Sequence, residues 1–468
     1  MLNNNYKNLL VDKDKTIREV MRTIDLNGLS TAFLVDKENK LFAIITDGDI
    51  RSAILHGEKL DTPAMKIANK TPVTINEKEN SKEGIKNFLR DSKVSEKIPK
   101  NSSLKVPVLD DDRKVIDLLF IYSGEKIPTI TKKHNKKENI KKVLVVGGAG
   151  YLGSCVCKKL LERGYSVKVL DNLMFGDHGI KKVYGNENFE FLNGDVRNIS
   201  TIVDAIKDVQ AVIDLAAIVG DPACAHNPKK TIEINNFSTK VLADICKYSQ
   251  INRFIFASTC SVYGASTDER LLNEDSELNP VSLYADMKLA TEKILMDISD
   301  ENFSPTIFRM PTLFGASDRM RFDLVINRLT AQAANKENIT VFGGDQWRPF
   351  IHVEDAAEFY VKALELPIET IGNKILNVGS SVMNYKIIEI ANIIKKITSA
   401  NIDINQAAID KRNYKVDFSL SERLFGIKPR FDIEKGVKQM LNIDKKVIAD
   451  YKSELYNNVD MQKKESPE

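Results

Sequence analysis

The chain has 468 residues, 43% hydrophobic and 28% charged, the balance of a folded protein too long for one ordinary core. A formal charge of +3, from 68 Lys and Arg against 65 Asp and Glu, gives no field for nucleic acid. No apolar run reaches the roughly 18 residues of a membrane span, and the opening MLNNNYKNLLVDKDK has no apolar segment followed by a cleavage site. Cys155, Cys157, Cys224, Cys246 and Cys260 are sparse, and CVC lacks the gap of a thiolate metal pair. A reducing, cytoplasmic setting without a bound metal is expected.

In chain order, TIREVMRTIDLNGLS reads as a helix, STAFLVD and KLFAIITD as strands, and DIRSAILHG as the start of a second helix. A degraded second pass runs through TPVTI, the helical KEGIKNFLRD, LKVPVLDD and KVIDLLFIY. Residues 1–130 thus form a separate small α+β module with an internal repeat. Residues 8–128 resemble a tandem pair of CBS domains, most closely at AFLVDKENKLFAIITDGDIRSAI. The resemblance implies that Thr46 and Asp49 would meet the phosphate and ribose of an adenine nucleotide. The same two residues also suit a helix cap with no ligand, and VIDLLFI offers no matching pair in the second half. A structural or dimer-forming module is the leading reading, and adenine-nucleotide sensing the alternative.

Residues 131–141 read as a basic linker, the run TKKHNKKENIKK over 131–142 carrying six lysines in twelve positions. Apolar strands then alternate with helical stretches, the pattern of a parallel α/β sheet. In VLVVGGAGYLGSCVCKKLLERGYSVKVLDNL, a strand runs into Gly147, Gly150 and Gly153 and then into a helix. Bare glycines let the backbone pass a pyrophosphate, and the helix amino end offers donors at Tyr151 and Leu152. Asp171, followed by Asn172, ends the next strand about 20 residues beyond the glycines, where a carboxylate accepts from ribose hydroxyls and repels a 2′-phosphate. NAD is therefore favoured over NADP.

Further on, PVSLYADMKLATEK sets Tyr284 and Lys288 four apart on one helix face. A phenol titrating near 10 is a poor base at neutrality unless a nearby cation stabilises its phenolate.

Taken together, residues 141–445 resemble the extended short-chain dehydrogenase/reductase family, in its NAD-dependent nucleotide-sugar epimerase/dehydratase branch. The segments that carry the likeness are the glycine motif, FLNGDVRN, VIDLAAIVGDPAC, FIFASTCSVYG, the YxxxK segment, RMPTLFG and WRPFIHVEDAA. One departure is Val146, where the family has a Thr before the first glycine. The resemblance implies that Asp195 and Val196 lie by the adenine, and Leu215, Ala216, Ala217 and Pro311 along tightly held NAD. It makes Tyr284 the acid/base, Lys288 its partner and Thr259 a contact to the reacting sugar oxygen. Ser261, which shares a strand face with Thr259, joins Tyr263, Thr312, Arg319, Arg321, Arg348 and Arg412 as substrate contacts. Arg348 is placed on the diphosphate. The implied domains are NAD-binding over 142–312 and mainly substrate-binding over 313–450, with segments returning to the first, then a flexible tail over 451–468. A homodimer or dimer of dimers would pair through helices, one of them bearing Tyr284.

The expected reaction begins with oxidation at C4 of a nucleotide-linked hexose. A 4,6-dehydratase of this branch has an Asp-Glu pair directly after the Thr, where this chain has Cys260 and Ser261. Epimerisation at C4 is therefore expected, with net C4 dehydrogenation as the alternative and dehydration behind it. A non-catalytic NAD-binding regulator is opposed by the intact set Thr259, Tyr284, Lys288 and Asp171.

Overall fold

The computed structural model describes residues 4–27, 31–79, 103–122, 140–266, 270–300, 303–406 and 412–458. The helix expected in KEGIKNFLRD and most of the basic linker lie outside them. The chain divides into two compact units, Met1–Lys133 and His134–Glu468.

The first unit contains β1 (Leu10–Asp12), α1 (Ile17–Asn27), β2 (Thr31–Val35), β3 (Leu41–Thr46) and α2 (Asp47–Leu55). It continues with β4 (Ile75–Asn76), β5 (Ser103–Leu109) and β6 (Val115–Tyr122). In each three-stranded sheet the first strand runs parallel to the second, and the second pairs antiparallel with the third. The two hairpins also turn alike. Asp36 accepts from the amides of Glu38 and Lys40 at 2.9 and 3.0 Å, and Asp110 from those of Asp112 and Lys114 at 3.0 and 2.7 Å. Strand alternation sends Ala32 and Leu34 into a cluster with Ile17, Val20 and Ile50. Phe33 and Val35 face the other way and meet Leu109 and Val115 of the second sheet.

The second unit is built on seven strands: β7 (Lys142–Val146), β8 (Ser166–Asp171), β9 (Phe189–Asn193), β10 (Ala211–Asp214), β11 (Arg253–Thr259), β12 (Ser304–Met310) and β13 (Lys374–Asn377). All are parallel, in the order β9-β8-β7-β10-β11-β12-β13. Helices cover both faces of such a sheet, so VLVV and FIF are apolar without alternation, and Val143, Leu144, Val145 and Val146 are all fully buried. The order reverses between β7 and β10, which leaves a crevice at their carboxyl ends. This is the doubly wound fold the sequence implies.

Beyond β12 a smaller subdomain packs helices Val325–Ala334, Ile387–Thr398 and Ile433–Leu441 around Phe314, Phe350 and Ile390. Strand Trp347–His352 lies between Thr312–Phe314 and Asn384–Lys386. Residues 451–458, expected to be flexible, are packed. The Tyr451 hydroxyl donates to Glu337 at 2.6 Å, the Phe322 amide donates to the Tyr456 carbonyl at 2.9 Å, and Asn458 is buried. The rest of that tail lies outside the described residues. Among the described residues no helix is long and apolar enough to cross a membrane, and no three His, Cys, Asp or Glu side chains gather as for a metal.

Candidate active site

A cavity of about 880 Å³ opens at the crevice. At one end the loop after β7 passes under the start of α3 (Tyr151–Glu162). Gly147 has φ +80°, and a Cβ there would lie 2.8 Å from the Ala216 amide nitrogen. A Cβ on Gly153 would lie 2.3 Å from the Gly147 carbonyl. Neither position can carry a side chain without moving backbone, and this lets a ligand approach the main chain closely. Gly150, Tyr151, Leu152, Asn172, Asp195, Val196, Leu215, Ala216, Ala217, Pro311 and Thr312 line the same cavity. Asp171 ends β8 and accepts from the amides of Ala149 and Leu173 at 3.0 and 2.9 Å, while burial raises its pKa. Its carboxylate therefore braces the glycine loop as well as facing the cavity.

Midway along, β11 delivers Thr259 and α4 (Leu283–Asp297) delivers Tyr284 and Lys288. The Ser282 hydroxyl caps α4 by accepting from the Ala285 amide at 3.4 Å, which sets Tyr284 in the first turn. Thr259 and Arg321 both lie close enough to the Tyr284 phenol to favour its ionised form. The Lys288 ammonium donates to the Ala257 carbonyl at 2.7 Å and sits 4.5 Å from the centre of the Phe256 ring. Burial pushes the Tyr284 phenol up and the Lys288 ammonium down to about 8, the latter opposed by the Asp214 carboxylate. As it stands, this phenol is protonated at neutrality and needs added positive charge to become a base.

Five arginines complete the lining: Arg319, Arg321, Arg328, Arg348 and Arg412, of which Arg328 lies 5.4 Å from the Phe342 ring centre. Arg348 donates to the carbonyls of Trp347 and Arg412, and its guanidinium lies 5.4 Å from the Tyr414 ring centre. Arg412 pairs with Asp221 at 3.2 Å, and Asp221 accepts from the Ser282 hydroxyl at 2.7 Å. Arg319 and Arg321, two apart in sequence, separate. Arg321 forks onto Asp323 at 3.1 and 2.5 Å near Tyr284. Arg319 lies toward Asp171, 4.3 Å from the Phe175 ring centre.

Two expected substrate contacts are corrected. Ser261 and Tyr263 are absent from the cavity lining. β11 ends at Thr259 and the chain curls into a tight 3-10 turn over Cys260–Tyr263, so strand alternation stops before Ser261. Ser261 is buried, with its hydroxyl 3.4 Å from that of Tyr414. The Tyr263 hydroxyl is held by Asn377 at 2.8 Å and Arg309 at 3.1 Å in a buried network. Cys260 is fully buried, its thiol donating to the Arg309 carbonyl at 3.3 Å.

Asp221, Phe175 and Asn458 were not foreseen. The first lies in VIDLAAIVGDPAC, one of the segments that carry the family likeness, in the loop that follows β10. Buried Asn235 holds that loop, accepting from the Ile218 amide at 2.8 Å and donating to its carbonyl at 2.7 Å.

In the first unit Thr46 and Asp49 satisfy each other. The Thr46 hydroxyl and amide donate to the Asp49 carboxylate at 2.7 and 2.8 Å, and the Asp49 amide donates back at 3.2 Å. This reciprocal cap starts α2.

Residues 143–379 match the NAD dependent epimerase/dehydratase family and residues 6–56 the CBS domain. The chain is 30% identical over 284 residues to UDP-glucose 4-epimerase of Bacillus subtilis (strain 168), covering 56% of this chain and 83% of that protein. It is 26% identical to UDP-glucuronic acid decarboxylase 1 of Xenopus tropicalis, covering 69% of this chain and 76% of that one. A crystal structure of UDP-glucuronic acid 4-epimerase from Bacillus cereus with UDP-glucuronic acid and NAD superposes with a TM-score of 0.58. The identity there is 26%, over 64% of this chain and 98% of that one.

Proposed function

The chain belongs to the NAD dependent epimerase/dehydratase family, and from that premise we propose that it inverts C4 of a UDP-linked hexose or a close derivative such as a hexuronate. The observation that carries this is the convergence of Thr259, Tyr284 and Lys288 on one cavity, between the glycine loop and the Arg348–Arg412 pair. The bare positions 147 and 153 and the carboxylate of Asp171 fit NAD, which when bound takes up and returns the hydrogen and electron pair of a carbinol carbon. Tyr284 accepts the C4 hydroxyl proton, Thr259 holds the same oxygen, and Lys288 supplies a cation on the phenol's helix. After the ketone turns in the pocket, Tyr284 returns the proton. Arg348 and Arg412 fix the diphosphate.

No carboxylate stands at positions 260 and 261 to remove a C5 proton and expel a hydroxyl, which disfavours dehydration. Net oxidation at C4 is the competing outcome, since the first half-reaction is common to both.

The matching topology of the two N-terminal sheets supports a tandem CBS module. The closed cap of Thr46 on Asp49 supports an assembly role over adenine-nucleotide sensing. A homodimer, paired through α4 and the helix Ser238–Tyr248, belongs to the same reading, and Tyr248 and Val281 leave apolar surface there.

The test is incubation with UDP-, GDP-, CDP- and dTDP-hexoses and UDP-hexuronates in deuterated water, followed by NMR. Inverted C4 without solvent deuterium supports the reading. Deuterium at C3 or C5, loss of water or carbon dioxide, or a persistent ketone each assigns another reaction.

A further inference from the structure

On the reading above two diphosphates fit this cavity, one from the cofactor and one from the sugar nucleotide, and the four arginines that the sequence assigns to the substrate have to be divided between them. Arg348 and Arg412 stand together beside Tyr414 and Asp221. Arg319 is held elsewhere. The segment before it is stapled to the first turn of α3: the Ser317 hydroxyl donates to the Tyr151 carbonyl at 2.8 Å, and the Tyr151 hydroxyl donates to the Gly315 carbonyl at 2.6 Å. Phe175, which Arg319 stacks on, lies just beyond Asp171 on the chain leaving β8. The guanidinium is thus delivered between the amino end of α3 and the end of β8.

The side chain is 3% exposed, and its partners do not satisfy it. One Nη donates to the Asn458 side chain at 2.7 Å, the Nε is buried with no acceptor, and no carboxylate forms an ion pair with it among the described residues. Asp171 and Asp323 act on it only through space, and the neighbouring Arg321 repels it. A buried cation left this way is costly unless an anion completes the site. The nearby carboxylate of Asp171 is already committed to two backbone amides.

We infer that Arg319 clamps the pyrophosphate of the cofactor, and is not a substrate contact. The assignment rests on the NAD reading above. In it, the guanidinium lies on Phe175 and brings its positive charge to the anion that the glycine loop and the start of α3 cradle. Asn458 fixes the rotamer from behind.

The test uses the full-chain holoenzyme as purified. Release of NAD is followed by washout at increasing salt, and UDP binding to the holoenzyme by calorimetry. Arg319→Gln is expected to lose NAD about 10- to 100-fold faster, the effect of one charge-assisted hydrogen bond, with UDP affinity within about twofold of wild type. Arg319→Lys, which keeps the charge but not the stacked fork, is expected to fall between the two, and serves if the Gln variant does not fold. UDP affinity weakened with NAD release unchanged, both affected together, or neither affected would overturn the inference. A wild-type protein that neither carries nor binds NAD would overturn the cofactor reading itself, which is a separable result.

Discussion

The Arg412 guanidinium lies 3.2 Å from the Asp221 carboxylate, joining a C-terminal segment to the loop after β10 at the cavity. Asp221 turns its other oxygen to Ser282, the cap of the helix that bears Tyr284. One carboxylate therefore links the Arg412 guanidinium to the start of α4. If Arg412 exchanges Asp221 for the diphosphate, Arg412→Ala should raise KM for the sugar nucleotide about 10- to 100-fold with little change in kcat. An unchanged KM would make Arg412 a brace for the loop alone.

Tyr284→Phe removes one oxygen and leaves the glycine loop, Asp171 and Lys288 in place. Turnover should fall about 100- to 10,000-fold, the usual share of a general acid/base, while NAD remains bound at wild-type occupancy. Near-normal turnover would move the proton transfer to another group.

Lys288 gives a pH signature in the cofactor-free protein. Burial lowers its pKa from 10.5 to about 8, so between those values the unfolded chain binds more protons than the folded one. Its destabilising contribution is present in full below about 8 and disappears as pH rises through 10.5. Lys288→Met should accordingly be the more stable protein at pH 7, by on the order of 3 kcal/mol before the lost bond to Ala257 is subtracted. That advantage should shrink from pH 8 to 10.5 in denaturant titrations, and a pH-independent difference would mean the ammonium is not desolvated. The same variant should be inactive.

What could be read from the sequence follows from how locally each feature is encoded. The glycine loop, Asp171 and the Tyr284–Lys288 pair lie within single strand-turn-helix or helix segments, so spacing fixes their geometry. Ser261 does not share the face of Thr259 because the backbone turns there and strand alternation stops, and Tyr263, placed by the resemblance alone, ends the same turn. Arg319 and Arg321 fall in an irregular stretch, where no period says that one turns to Asp171 and the other to Tyr284. Asp221 meets Arg412 from a distant part of the chain, and no local pattern encodes such a pair. Asn458 looked like part of a polar tail because its buried partner, Arg319, is also remote in sequence.

Thr46 and Asp49 lend themselves to a stability measurement. Asp49→Ala removes both bonds that the carboxylate accepts at the start of α2, and should lower stability by about 0.5–2 kcal/mol, as for other lost caps. AMP and ATP should leave the melting temperature of the wild-type protein unchanged. A clear rise with either nucleotide, abolished in the variant, would assign the module to sensing.

The central claim is that the hydrogen on C4 leaves and returns to the same carbon from the opposite face. The most direct measurement uses whichever UDP-hexose is turned over, deuterated at C4, in ordinary water, with the product analysed by NMR and mass spectrometry. The expected product is inverted at C4, retains the deuterium there and has unchanged mass. Deuterium lost to solvent, an unchanged C4 configuration, or a product that has lost water or stopped at the ketone would contradict it.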